Sequence, residues 1–239
     1  RQLEPSVSEA YQCGVYLPDE GMIVDPGALL HACVAALRKG GARFVKADVR
    51  GIEFGSDCPV SLKTSEGPLP FRSLVIAAGA WSARLAAVLD GHVPLETQRG
   101  YHVMLPDSGV ELRRPVVAAD AKCFITPMEH GLRVAGTVEF AGLEASPDMR
   151  RADALVRHAR RMFPQLSVER KAEWMGHRPC LPDTIPVIGR SPRFRNVFYA
   201  FGHGHLGLTG APMTAQLISD LVLERPAAID VSPYRFDRF

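Results

Sequence analysis

Paired cysteines are missing from this 239-residue chain. It has five, an odd number, at Cys13, Cys33, Cys58, Cys123 and Cys180, with no Cys-x-x-Cys pair among them. That excludes a disulfide framework and argues against a zinc site. It points to a reducing compartment, read here as the cytoplasm, with any membrane tie peripheral to the inner membrane. Charge of one sign is scarce too: 28 Lys and Arg oppose 26 Asp and Glu, a net +2, so neither nucleic acid nor an anionic membrane is indicated as a main partner. No run approaches the ~18 apolar residues needed to cross a bilayer, and no charged-then-apolar signal segment opens the chain. The chain also contains no G-x-S-x-G elbow and no P-loop, and no G-x-G-x-x-G opens a βαβ unit near its start; that spacing occurs only at Gly202–Gly207, in the last third. What remains is ordinary for a globular protein: 46% apolar and 23% charged residues, over a length that fits one or two domains of ~150 residues. Arg1-Gln2-Leu3-Glu4-Pro5, without an initial Met, reads as the continuation of a longer protein.

The pattern along the chain is α/β at both ends and antiparallel in the middle. Asp25-Pro26 looks like an N-cap followed by Pro at the first helical position, opening a helix that runs Ala28 to Lys39 and stops at Gly40-Gly41. Leu29, Leu30, Cys33 and Leu37 form its apolar stripe. A strand is expected over 42–49, then a hairpin-like pair around Gly55–Asp57 and Gly67-Pro68. Leu74–Ala78 is a continuous apolar run of the buried parallel type, ending at Gly79 and passing into a helix from Trp81 to Leu89. Between Val93 and about Gly142, short alternating segments separated by Pro, Gly and Asp suggest an antiparallel sheet. An amphipathic helix follows over 152–163, with Leu155, Ala159, Met162 and Phe163 opposite Arg150, Arg157, Arg160 and Arg161; the arginines read as a solvated face. Strands over 185–188 and 197–201 lead to a final helix from about Ala211 to Leu223.

Three stretches could carry chemistry. Gly202-His203-Gly204-His205-Leu206-Gly207-Leu208-Thr209-Gly210 joins a buried strand to a helix. Glycine lets backbone approach a ligand, and the exposed N–H groups of a helix start attract an anion or an electron-rich carbonyl. A glycine-rich turn with no ligand is the competing reading. His203 and His205 also form an H-x-H pair, but no Asp, Glu or Cys stands at suitable spacing, so no metal is assigned. The second stretch is Gly176–Asp183, where Arg178 precedes a Pro-rich turn; its planar fork suits a carboxylate, or it pairs with Asp183. The third is Ala77-Ala78-Gly79-Ala80-Trp81-Ser82, a strand-to-helix turn of small residues. Tyr101, Phe124 and Trp174 could line a pocket or belong to the core.

Taken together, VIAAGAWS (75–82), QRGYHVML (98–105), RPCLPDTIPVIG (178–189) and the GHGHLGLTG core within 196–221 resemble the FAD-dependent D-amino-acid oxidase/dehydrogenase superfamily, which includes glycine oxidase and sarcosine oxidase. The resemblance implies a fold that is α/β plus α+β: a partial FAD-binding (glutathione-reductase-like) α/β domain, residues 25–92 and 182–239, interleaved with an antiparallel-sheet substrate domain, residues 1–24 and 93–181. In that family a βαβ unit carrying G-x-G-x-x-G comes first, so this sequence corresponds to the middle and C-terminal portion. By the resemblance, Val49 would lie near the adenine of FAD. Ala78, Gly79 and Trp81 would also contact the cofactor, and Gly202, Gly204, Leu206, Gly207, Leu208 and Thr209 would surround its ring, with Thr209 as N-cap. Arg178 would hold a substrate carboxylate, with Tyr101, Phe124 and His205 lining the same site. Phe124 stands where glycine oxidase has a carboxylate-binding tyrosine, and His205 where it has a second arginine. Gly176 takes the place of the flavin-linking cysteine of the sarcosine-oxidase branch, which implies non-covalent FAD. No general base is evident. The implied activity is oxidation of the Cα–N bond of a small amino or imino acid by hydride transfer to flavin N5, with quinone or oxygen as acceptor. The competing expectations are a 2-hydroxy acid substrate, or a non-catalytic binding module that associates with another chain.

Overall fold

The computed structural model describes residues 2–239. In chain order the elements are α1 (Pro26–Lys39), β1 (Val49–Phe54), β2 (Pro59–Thr64), β3 (Gly67–Pro70), β4 (Leu74–Ile76), α2 (Ser82–Leu89), β5 (Glu96–Leu105) and β6 (Val116–Ala118). They continue with β7 (Cys123–Met128), β8 (Gly131–Ala135), β9 (Glu139–Phe140), α3 (Arg150–Met162), β10 (Ala172–Cys180), β11 (Val187–Arg190), β12 (Val197–Phe201) and α4 (Gly207–Val222). The chain forms two compact units. The first comprises residues through Phe44, Arg99–Glu139 and Ser146–Gly176, and the second Val45–Gln98, Phe140–Ala145 and His177–Phe239. Contact density and the functional partition expected from sequence therefore draw the line at different residues. Compactness groups 25–44 with the first unit, and 93–98, 140–145 and 177–181 with the second.

The first unit is built on an antiparallel sheet of order β10-β5-β8-β7-β6, with β9 paired to β5. Its alternation is the period-2 pattern expected of a sheet with one covered face: Val103, Leu105, Ile125 and Val134 are fully buried. Over them lies α3, whose Leu155, Ala159 and Met162, with the adjoining Phe163, complete the core. The arginines on its far side are exposed, and Arg150 and Arg161 pair with Asp148 and Asp120. In the same unit α1 is capped as the sequence indicates, Asp25 Oδ1 accepting from the Ala28 N–H at 2.9 Å with Pro26 at the start and Gly40 at the end. Yet none of its residues is buried, and Leu29, Leu30 and Leu37 stay 43–63% exposed. An apolar stripe is a necessary condition for packing, and here nothing among the described residues covers it.

The second unit has two small sheets. β1, β2 and β3 form an antiparallel meander, and β12 lies between β11 (antiparallel) and β4 (parallel, Val197 opposite Leu74). One face of β12 packs Val197, Tyr199 and Phe201 against Ala86 and Leu89 of α2; the other packs Phe198 against Leu217 and Ile218 of α4. Burial on both faces is what the continuous apolar run of β12 requires. The strand expected over 42–49 is not formed. Residues 42–48 have no regular secondary structure, Phe44 and Val45 are about half exposed, and only Val49 enters β1, opposite Thr64. β-propensity without a neighbouring strand to bond does not make a strand. No helix among the described residues is long and apolar enough to cross a membrane.

Candidate functional site

The chemistry-bearing residues of the second unit gather where β12 ends. Gly202 follows with φ +88°, a backbone conformation that favours glycine, and a side chain there would also have to displace Leu181 Cδ1, 2.5 Å from where it would begin. Two residues on, Gly204 (φ +54°) donates its N–H to the Pro179 carbonyl at 2.8 Å. That one backbone bond seats the glycine loop directly on the Arg178–Cys180 segment. The Cys180 Sγ is 3.5 Å from the position a Gly204 side chain would take.

Charge in this corner is set by Arg178. Burial pulls its guanidinium below the ordinary value, though it stays cationic at neutral pH. Burial, and then the nearby Arg178 charge, hold His205 below the usual imidazole range. Burial raises the Cys180 thiol, and Arg178 partly offsets the rise. The expected alternative partner of Arg178 is engaged elsewhere: Asp183 Oδ2 accepts from Arg238 Nε at 2.8 Å. A half-buried guanidinium with an exposed, neutral imidazole near it is suited to a carboxylate.

The helix after the loop begins earlier than its sequence suggests. α4 starts at Gly207, not near Ala211, and the residue in the cap position is Leu206, which offers no side-chain acceptor. Thr209 is therefore inside the first turn and cannot be the N-cap. The misleading signal is Pro212, which normally marks a first helical position but here lies within the helix. The N–H groups of Gly207, Leu208 and Thr209 fall in the first turn, where no intrahelical acceptor exists, and Leu206 and Leu208 beside them are 68% and 49% exposed. Behind the turn is an open cleft of about 240 Å³ lined by small side chains, Ala77, Ala200, Ala211, Thr214 and Ala215 among them.

The turn after β4 adds a second backbone edge. Gly79 has φ +54° with open space where a side chain would project. Trp81 is 46% exposed and meets His177 edge-on at 5.3 Å, and His177 Nδ1 lies 2.9 Å from Thr97 Oγ1. His177, Cys180 and His203 lie in stretches the motifs marked but were given no role there, and Thr97 was not marked at all. The signal available was alternation along β10, which puts His177 and Arg178 on opposite faces.

The remaining predicted residues fall in the first unit. Tyr101 is 1% exposed, its hydroxyl donating to Glu139 Oε2 at 2.6 Å and accepting from the Asp148 N–H at 2.8 Å. It is thus a core residue whose polar end is already committed. Glu139 is held below the usual carboxylate value, chiefly by that hydroxyl and then by Arg151 and the buried Arg99. Phe124 is half exposed on β7, opposite Val117 and Ala135. Trp174 stacks on His102 at 4.9 Å, and its ring reaches over Gly176, where a side chain would begin 1.9 Å from it.

A glycine loop leading to an uncapped helix start, a lining of small residues and a half-buried arginine fit the ring end of a flavin together with a carboxylate substrate. Such features are of the kind that hold an organic cofactor beside an anionic ligand. The family model described as FAD dependent oxidoreductase (DAO) matches residues 1–221, and the chain belongs to that family. It is 39% identical to a D-amino-acid oxidase of Bradyrhizobium diazoefficiens over its whole length, covering 58% of that protein. It is 34% identical to a D-amino acid dehydrogenase of Paramagnetospirillum magneticum, with 81% of this chain and 49% of the relative covered. The crystal structure of glycine oxidase from Geobacillus kaustophilus superposes with a TM-score of 0.87 at 29% identity, over 100% of this chain and 64% of that one. The chain thus spans about half to three-fifths of the length of these relatives.

Proposed function

We propose that this chain supplies the ring-binding and substrate-binding part of an FAD-dependent oxidoreductase acting on the Cα–N bond of a small amino or imino acid. The observation that carries the reading is the Gly204–Pro179 backbone bond, which puts the glycine loop beside Arg178. Arg178 binds the substrate carboxylate and so orients its α-C–H, with His205 as a neutral neighbour that can add a hydrogen bond. The first-turn N–H groups of α4 stabilise negative charge that develops on whatever they face. FAD, when bound, supplies the hydride acceptor. Gly176 offers no nucleophile and the Trp174 ring occupies its side-chain space, which supports non-covalent attachment. No residue of the pocket is assigned as a general base, and an amine that arrives neutral needs none. The electron acceptor is proposed to be a quinone, with oxygen the alternative, and the location cytoplasmic.

The test is Arg178→Ala in the flavin-loaded protein. Loss of a charge-assisted bond is expected to raise KM by about 10- to 100-fold with the flavin spectrum unchanged. An unaltered KM removes Arg178 from this role. A second reading is favoured by one observation: the bare apolar stripe of α1, with Phe44 and Val45, suits another polypeptide surface, so the chain would function in association with one.

A further inference from the structure

The proposed function leans on the first turn of α4, and that turn is intrinsically frail. Gly207 opens the helix, and Gly210 within its first turn disfavours helix relative to alanine. Pro212 has no N–H to return to the Leu208 carbonyl, so one rung of the ladder is absent just beyond them. Leu206 caps nothing. The Gly210 N–H does reach the Leu206 carbonyl at 2.8 Å, but a single bond cannot define the direction of three free N–H groups.

One side chain spans the whole weak stretch. His203 leaves the loop before the helix, and its Nε2 lies 2.9 Å from Thr214 Oγ1, beyond Pro212. The side chain runs along the turn on the way: its Cβ is 3.5 Å from where a side chain at Gly207 would begin, and its Cδ2 is 3.7 Å from the same point at Gly210. The Leu206 N–H closes onto the His203 carbonyl at 2.9 Å, so the residue holds the loop from its backbone and the helix from its ring. Burial keeps the imidazole neutral, which suits a hydrogen bond to a hydroxyl.

We propose that His203 is a positioning residue: by bracing the glycine loop against Thr214 it fixes the first turn of α4 and, on the flavin reading given above, the N–H groups that would face the ring. It touches no substrate; it acts through the turn.

Amide hydrogen exchange on the 239-residue protein without flavin tests the brace. In His203→Ala and in Thr214→Val, the amides of Gly210, Ala211 and Met213 should exchange roughly 5-fold faster or more, the loss expected for one hydrogen bond. Those of Leu217 and Ile218, farther along the same helix, should keep their rates. The double variant should add little to either single one, and His203→Gln should recover part of the protection. Unchanged exchange at the first three amides, or an equal rise throughout α4, overturns the proposal. FAD titration of the same proteins separates this from the flavin reading. Affinity that falls in step with lost protection supports the positioning role, whereas faster exchange with wild-type affinity overturns it. Absence of any FAD uptake by the unsubstituted protein contradicts the flavin reading itself, and it shows before any variant is made.

Discussion

At the scale of single residues, Arg178 and Tyr101 are both sequence candidates for the substrate site, and the structure shows where the polar end of Tyr101 goes. Tyr101 spends its hydroxyl on Glu139 and Asp148, inside the first unit's core. Tyr101→Phe should therefore act on stability: Glu139 loses its shortest hydrogen bond, costing about 1–3 kcal/mol in denaturant unfolding. His102 offers a pH test. Burial and Arg133 push its imidazole down to about 4 from 6.5. A base whose folded pKa is depressed must be neutral in the folded protein, so its contribution is complete above pH 6.5 and is lost as the pH falls toward 4. His102→Leu should flatten the stability profile in that window; a profile that keeps its slope would assign the acid sensitivity to other groups. Residue-level roles were only half legible beforehand, because a letter shows what a side chain can do and not whether a neighbour already uses it.

Elements were easier to read where one local rule governs them. Asp25-Pro26 and Gly40 gave both ends of α1 to within two residues, since capping depends only on nearby atoms. Asp25→Ala is expected to cost about 1 kcal/mol of helix stability, visible as a lower thermal midpoint. Long-range conditions were not legible. Residues 43–48 have strand-forming side chains but no ladder, and α4 begins ahead of its proline because packing of Leu217 and Ile218 onto β12 anchors the helix from behind. Pro212→Ala should restore the rung at Leu208 and raise stability by about 1–3 kcal/mol, measured by denaturant unfolding; no gain would mean that the break is relieved locally.

For the whole molecule, the order of motifs along the chain identified the family before any coordinates, because four separate stretches had to agree at once. What that order could not supply is the cover for α1 or the residue boundaries of the two compact units, both of which depend on contacts between distant segments. The apolar stripe of α1 should therefore tolerate charge in the isolated chain: Leu30, 63% exposed, replaced by Lys should alter stability by about 0.5 kcal/mol or less. The central claim is that the Gly202–Thr209 segment and Arg178 form the working end of a flavin site. It is tested most directly by the visible spectrum of the 239-residue protein titrated with FAD and then, without oxygen, with a small D-amino acid or imino acid. A perturbed flavin band that bleaches with the substrate is expected, with bleaching that needs far more of it in Arg178→Ala. A spectrum identical to that of free FAD at every protein concentration would contradict it.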